Sequence, residues 1–281
     1  MGLEVLLGDV MKFTIVVVLY NKKIKDLPFY DFCDLLFSKG INLLCYDNSL
    51  HAQNTDINDP HFHYYHDASN AGLAKAYNYG LKLSTELGSD GILLLDDDTA
   101  LTIKLVNAFL TTRFQDNLVA VVPKVIANGK QISPLKSDQY INRNMQQVDA
   151  GVHAEPIMSI NSGSLISTQF LREIGGFNTS FPLDFLDHWL FYEINQLGKF
   201  VQVLNLSLEH DLSVMNYNNV SHQRYESIIS SETRFYTQFN RGLLKEHKIQ
   251  LVKRTIKLLL TQRDNYFWKR TFKELKHIRS L

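Results

Sequence analysis

The apolar run from Phe13 to Tyr20 constrains the fold more than any other segment of this sequence. A continuous run of β-branched and aromatic residues, with no polar residue alternating between them, is typical of a strand covered on both faces of a parallel sheet. Similar short runs follow and are predicted as strands: Asn42–Tyr46, Phe62–Tyr65, Gly91–Leu95 and Val119–Val122. Parallel strands need crossover connections, so helices are expected between them.

The clearest of these helices starts near Ala71. Apolar or small residues recur every three or four positions and form one stripe: Leu73, Ala76, Tyr77, Gly80, Leu81, Ser84 and Leu87. Strand and helix therefore alternate from Phe13 to about Ile126, which predicts a doubly wound α/β sheet. Ligands of such sheets bind beyond the carboxyl ends of the strands, so polar residues there are candidate site residues.

The second half of the chain is less regular. Residues 128–156 form a polar stretch that is predicted to be irregular. The predicted elements after it are a strand over Met158–Ser167, helices over Gln169–Ile174 and Leu186–Leu197, strands over Phe200–Val203 and Leu206–Glu209, and helices beyond Ser221. This predicts a leader at 1–11, an α/β domain at 12–215 and a helical, basic extension at 216–281.

Charge and composition exclude several classes of protein. The formal net charge is zero, which gives no reason to expect a nucleic acid as partner. Cys33 and Cys45 lie in apolar surroundings without CxxC spacing, so they are expected to be buried free thiols. No apolar stretch approaches the roughly 20 residues that span a bilayer, and a cytoplasmic protein is expected.

The triplet Asp96–Asp98 directly follows the predicted strand Gly91–Leu95. Adjacent carboxylates repel one another unless a cation compensates them, and Mg²⁺ or Mn²⁺ prefers such oxygen ligands. A solvated acidic turn before a helix cap at Thr102 is the alternative. Polar residues also follow the other strands and open the clear helix: Tyr20, Asn21, Asp47, Asn48, Ser49, Asn70, Gly72 and Asn78. Each of these could also be an ordinary turn or cap residue.

Together these segments resemble the family-2 glycosyltransferases with the GT-A fold, a doubly wound mixed sheet. The resemblance is carried, in order, by VVVLYN, YDNS, SNAGLAKAYNYGL, LLLDDDT, NSGSLIS, GGF and LDFLDHW, and covers about Lys12 to His210. Within the family the pattern is most similar to the rhamnosyltransferase branch. The resemblance implies an inverting enzyme that uses dTDP-rhamnose in bacterial cell-surface polysaccharide synthesis.

The resemblance also implies roles for individual residues. Donor-nucleotide contacts fall on Tyr20, Asn21, Asp47, Asn70, Gly72, Asp96 and Asp97, and metal ligands on Asp98 and His210. Ser162 and Gly163 are expected close to the donor sugar, and Trp189 to lend an apolar face to the acceptor. The catalytic base is expected at Asp187, with Asp184 as the reserve, because the family's Asp-x-Glu-Trp pattern is one residue shorter here.

Several alternatives stay open. Asp47 would pair with uracil as well as thymine, so a UDP-sugar donor (galactose, galactofuranose or N-acetylglucosamine) is possible, as is a non-catalytic sugar-nucleotide or polysaccharide-binding protein. The extension carries twelve Lys or Arg against three acidic residues from Arg241 onward. Such helices suit the cytoplasmic face of an anionic membrane, where a lipid-linked acceptor would lie, or pack on the α/β domain or on a second subunit.

Overall fold

The computed structural model describes residues 10–53, 57–141, 146–209 and 220–279. Its strands are β1 Phe13–Leu19, β2 Asn42–Asp47, β3 Phe62–His66, β4 Gly91–Asp96, β5 Leu118–Ala127, β6 Lys130–Ser133, β7 Leu135–Lys136, β8 Gly151–His153, β9 Ile157–Met158, β10 Ser164–Ser167 and β11 Phe200–Glu209. Its α-helices are α1 Cys33–Ser38, α2 Leu73–Glu86, α3 Ile103–Leu110, α4 Thr168–Glu173, α5 Leu186–Gln196, α6 His222–Arg234, α7 Leu244–Thr261 and α8 Asn265–Arg279. The predicted strands and helices of the first 126 residues are confirmed.

One mixed sheet organises the molecule. Its strand order is β3-β2-β1-β4-β10-β5-β11-β8, and β6 pairs with β5. The neighbours β3, β2, β1 and β4 are parallel, whereas β10 runs antiparallel between β4 and β5. The predicted doubly wound mixed sheet is therefore confirmed.

Hydrophobic cores cover both faces of this sheet, as the unbroken apolar strands predict. Alternate residues of β1 divide between them: Val16 faces the core formed with α2, α4 and α5, and Ile15 and Val17 face the core formed with α1 and α3. Side chains of successive strand residues point to opposite faces, so a strand between two cores must be apolar throughout.

Three predictions for the second half of the chain need correction. The stretch 128–156 is not irregular throughout, because it contains β6, β7 and β8, and β8 pairs with the edge of β11. The predicted strand Met158–Ser167 is two strands, β9 and β10, with Gly163 at φ +83° between them. The two strands predicted over 200–209 are one strand, β11, whose pairing with β5 shifts between Val203 and Ser207.

The described part of the extension is helical, as predicted, and has a small core of its own. Tyr225, Ile229, Leu251, Leu258, Phe267, Leu275 and Ile278 form this core. Phe235 and Tyr236, which follow α6, belong instead to the main core. None of the helices in the described ranges is both long enough and apolar enough to cross a membrane. Both cysteines are buried free thiols, as predicted for Cys33 and Cys45.

Candidate functional site

Three neighbouring strands bring the predicted polar residues to one edge of the sheet. In the parallel register, Leu19 at the end of β1 lies beside Asp47 of β2, and Val18 lies beside Asp96 of β4. The chain runs from β1 outward to β2 and β3 and then returns to the other side of β1 with β4. The strand order therefore reverses between β1 and β4, and the crevice at such a reversal is where open α/β sheets bind ligands.

The acidic triplet lies at this reversal. Asp96 and Asp97 are partly buried and Asp98 is exposed. The backbone N–H of Asp96 donates to Ser162 Oγ at 3.1 Å, and Ser162 Oγ is 2.5 Å from Thr99 Oγ1. The segment before β10 is thereby tied to the triplet. Ser162 is 2% exposed, so its hydroxyl positions the acidic loop.

Lys22, which the sequence analysis did not single out, also meets the triplet. Its Nζ lies 3.7 Å from Asp97 Oδ1 and donates a hydrogen bond to the Asp97 carbonyl oxygen. Burial raises the pKa of Asp97, Lys22 opposes that rise, and the Asp98 carboxylate adds to it. The crowding of carboxylates expected from the sequence is real, and a lysine compensates part of it. Its position two residues after Tyr20 indicates a place near the end of β1, but not the contact with Asp97.

Asp47 organises the loop beyond β2. The side chain is fully buried, with Oδ1 accepting from the Ser49 N–H at 2.9 Å and Oδ2 accepting from Tyr64 at 2.7 Å and Gln53 at 3.1 Å. Burial alone would raise the pKa of Asp47, but these hydrogen bonds outweigh it and hold the pKa below its ordinary value. Asp47 is thus an ionised anchor for its own loop.

The loop after β1 lies on the surface beside that anchor. Tyr20 is 58% exposed, so its ring is open to a ligand. Asn21 has φ +56°, and its N–H donates to Ser49 Oγ at 2.8 Å. This hydrogen bond links the loops that follow β1 and β2, which places Tyr20 and Asn21 at one rim of the crevice.

Gly72 fixes a close approach between the start of α2 and Pro182. It has φ +92° and ψ −179°, and a Cβ there would lie 2.3 Å from the Pro182 carbonyl oxygen. The same oxygen accepts from the Ala74 N–H at 3.3 Å. Asn70 precedes this contact in a turn with φ +44°. The two predicted donor-site residues therefore lie where α2 meets the segment leading to Asp184.

Gly163 likewise allows a close approach. A Cβ at this position would lie 3.0 Å from the Leu208 side chain and 3.1 Å from that of Pro123, and its N–H donates to the Leu94 carbonyl at 2.8 Å. Its role is to pass the chain tightly under the end of β4, next to Ser162.

The two candidate bases differ in their surroundings. Asp184 accepts from Ser227 Oγ at 2.6 Å and pairs with Arg224 at 2.9 Å, both on α6. Burial raises the pKa of Asp184, and the contacts with Ser227 and Arg224 offset part of that rise. Asp187 lies in the first turn of α5, is partly exposed, and accepts from the His188 N–H at 2.8 Å. Asp187 is the more available carboxylate.

A buried tyrosine lies near both Asp187 and the acidic triplet. The hydroxyl of Tyr77, on α2, is buried and has no hydrogen-bond partner among the described residues. Burial, and then the charges of Asp96 and Asp187, raise the pKa of Tyr77 well above its ordinary value. Both carboxylates therefore lie near the Tyr77 hydroxyl.

Trp189 does not have the open face that was predicted for it. It is 5% exposed and belongs to the main core. Its position on α5, two residues after Asp187, turns the ring inward. This burial argues against a contact between the ring and an acceptor.

At this site the described residues supply only part of the ligand set of a divalent metal. Among the described residues no group of three or more His, Cys, Asp or Glu side chains could hold a metal ion, and His210 lies outside the described residues. Mg²⁺, however, is commonly held by one or two carboxylates together with substrate phosphates. The exposed Asp98 next to Asp97 matches that donor set.

Comparisons with known proteins identify structures of similar overall shape. No protein-family profile matches the chain, and no curated protein matches its sequence. The S. aureus TarS 1-349 structure in complex with UDP is 13% identical with a TM-score of 0.48, and covers 96% of this chain and 92% of that one. The S. aureus TarS structure is 14% identical with a TM-score of 0.49, and covers 96% of this chain and 53% of that one. These values assign neither a family nor an activity.

Proposed function

We propose that this chain is an inverting glycosyltransferase that moves a sugar from a nucleotide-diphosphate donor to a glycan hydroxyl. One observation carries the proposal. The reversal point of the sheet gathers the ends of β1, β2 and β4, and places there an exposed aromatic ring, Tyr20, a lysine, Lys22, and the carboxylates Asp97 and Asp98. An aromatic face suits a nucleobase, and a lysine with carboxylates suits a diphosphate and its counterion.

The proposed chemistry needs two separate sets of charged groups. Asp187 takes the proton of the acceptor hydroxyl as that oxygen attacks the anomeric carbon. The diphosphate leaves from the opposite face, where Lys22 stabilises the developing negative charge. Asp98 and Asp97 would hold Mn²⁺ or Mg²⁺, which supplies further charge stabilisation when bound. Asp184 is then a positioning residue, since both of its oxygens are occupied by α6.

On the sequence resemblance alone, dTDP-rhamnose is the proposed donor and rhamnose is the sugar that is transferred. A UDP-sugar donor remains the alternative, because the Asp47 carboxylate is buried and occupied by its own loop, so it does not distinguish uracil from thymine. Asn70, Gly72, Ser162 and Gly163 are proposed to shape the donor site through backbone position. A purely nucleotide-binding protein would retain donor binding but show no transfer.

A lipid-linked acceptor is proposed because of the surface of α7. Its apolar residues Ile249, Val252, Ile256, Leu259 and Leu260 are exposed, and their spacing places them on one side of the helix. Exposed Lys253 and Lys257 lie on the same helix. Apolar and cationic groups together complement an anionic bilayer. Co-sedimentation with vesicles should therefore occur with anionic lipid and be weaker with neutral lipid, and equal binding to both would contradict the charge argument.

The first test of the proposed function is thermal stabilisation by nucleotides. A ligand that binds the folded chain raises its apparent melting temperature. We expect a shift with dTDP- or UDP-sugars, and a larger shift when Mn²⁺ or Mg²⁺ is present. If none of the nucleotide sugars shifts the melting temperature, the proposed donor site is wrong.

A further inference from the structure

A cavity of about 290 Å³, with none of its lining residues at the ends of β1, β2 or β4, lies between α5, residues 137–141 with Pro156 and Met158, and the chain that follows α6. One wall is a single face of α5, formed by His188, Tyr192, Asn195 and Gln196. These residues recur at intervals of three and four, so they share one side of the helix. The volume is close to the lower limit of about 300 Å³ that is usual for small-ligand sites.

The opposite wall is held rigidly by a buried polar network. Tyr236 lines the cavity and stacks on Tyr140 and on His247, with ring centroids 4.8 Å apart in both cases. Tyr140 donates to Glu232 at 2.7 Å, and Arg254 pairs with both Glu232 oxygens at 2.6 and 2.9 Å. Because this network is buried and hydrogen-bonded, the Tyr236 ring is fixed in place before any ligand binds.

The chemistry of the walls selects a neutral, polyhydroxylated ligand. Amide side chains, each with both donors and acceptors, come from three parts of the chain: Gln139, Asn195 and Asn240. Aromatic rings lie among them, with Phe235 and Tyr192 packed edge to face at 5.7 Å. Of the described residues that line the cavity, Asp138 is the one acid and none is Lys or Arg. A diphosphate would meet no cationic side chain of that kind here, whereas sugar hydroxyls would meet matching amides.

The cavity also lies close to the proposed base. His188, which lines it, directly follows Asp187, and the two side chains are separated by about 100° around α5. The His188 ring stacks on Phe185 with centroids 4.4 Å apart, which holds its orientation. The α5 wall of the cavity therefore begins one residue after the proposed base.

We propose that this cavity binds a neutral sugar unit of the acceptor glycan, next to the unit that receives the transferred sugar. The proposal rests on the proposed transferase function. Asn195, partly buried and on the α5 wall, is the hydrogen-bonding residue that the test removes.

Ligand-observed saturation-transfer NMR tests the cavity, with methyl glycosides of rhamnose, glucose, galactose and N-acetylglucosamine as probes. We expect at least one glycoside to receive saturation from the wild-type chain, and its affinity to fall about fivefold or more in Asn195→Ala. Asn107→Ala, on the exposed side of α3, is the matched control and should bind as the wild type does.

Binding of UDP and dTDP is measured on the same three proteins. Unchanged nucleotide binding together with the loss of glycoside binding in Asn195→Ala supports the cavity. No glycoside signal in the wild type, or equal signals in Asn195→Ala and the wild type, would overturn it. Failure of the donor site shows separately, as absence of nucleotide binding in the wild type.

Discussion

Replacing Gly72 by alanine should destabilise the chain more than the same change at the other end of the same helix. Gly72 precedes α2 with φ +92° and ψ −179°, a region of backbone conformation that is essentially confined to glycine. Gly88, after the end of α2, has φ +67° and nothing within 4 Å of an added Cβ. The two variants therefore share the added methyl group and a positive φ, and differ in the backbone region and in the space around the added group.

The magnitude follows from the contact with Pro182. An added Cβ would lie 2.3 Å from the carbonyl oxygen of Pro182, so one of the two segments must move by roughly 1 Å to reach ordinary contact. The conformational cost of about 1–3 kcal/mol adds to the loss of the Ala74–Pro182 hydrogen bond, about 1 kcal/mol. We expect Gly72→Ala to lose about 2–4 kcal/mol in total, and Gly88→Ala about 1–2 kcal/mol for its left-handed backbone.

Urea denaturation followed by circular dichroism measures both values, because the free energy of unfolding is obtained by linear extrapolation. The slopes of the two transitions should agree, so that the difference lies in stability alone. Equal losses for Gly72→Ala and Gly88→Ala would refute the argument from the Pro182 contact. Gly72 would then matter only through its positive φ.

Three further predictions concern charged groups. Asp98→Ala should weaken Mn²⁺-dependent binding of the donor by about tenfold, measured by calorimetry, and an unchanged affinity with metal present would exclude Asp98 as a ligand. Asp187→Asn should keep donor binding and lower transfer by at least about 10²-fold; retained turnover would exclude it as the base. Burial lowers the pKa of His247 from 6.5 to about 4, so the unfolded chain binds the extra proton first and stability should fall by up to about 3 kcal/mol as the pH drops from 6.5 to 4. The His247→Leu variant should lose less stability over this pH range. An identical pH profile in the variant and the wild type would contradict the assignment of the loss to His247.

The strands and the acidic edge could be predicted because their signals are local. β4 is an uninterrupted apolar run that ends in acids. The run is apolar because β4 lies between two cores, and the acids follow where the strand leaves those cores. The helix α2 was predicted within two residues at its start for the same reason, since its stripe of small and apolar residues packs on β1 and β4.

The contacts that define the site depend on residues far apart in the sequence. Lys22 meets Asp97, which lies 75 residues later, and no local pattern indicates this pairing. Asp184 was a candidate base by motif alone, but Ser227 and Arg224 occupy it. Trp189 was assigned to the surface by resemblance, whereas the periodicity of α5 turns it into the core.

Because Asp184 is attached to α6, the helical extension cannot be exchanged on its own in an engineered chimera. The residues that lead into the helix of the proposed base are attached to the extension through the contacts of Asp184 with Arg224 and Ser227, and Tyr140 is attached to it by its hydrogen bond to Glu232. A chimera that exchanges residues 216–281 alone would leave the partly buried Asp184 without its partners. A functional exchange must therefore include residues 140 and 184 together with the helices. These three separate pieces of sequence have to be exchanged as one unit.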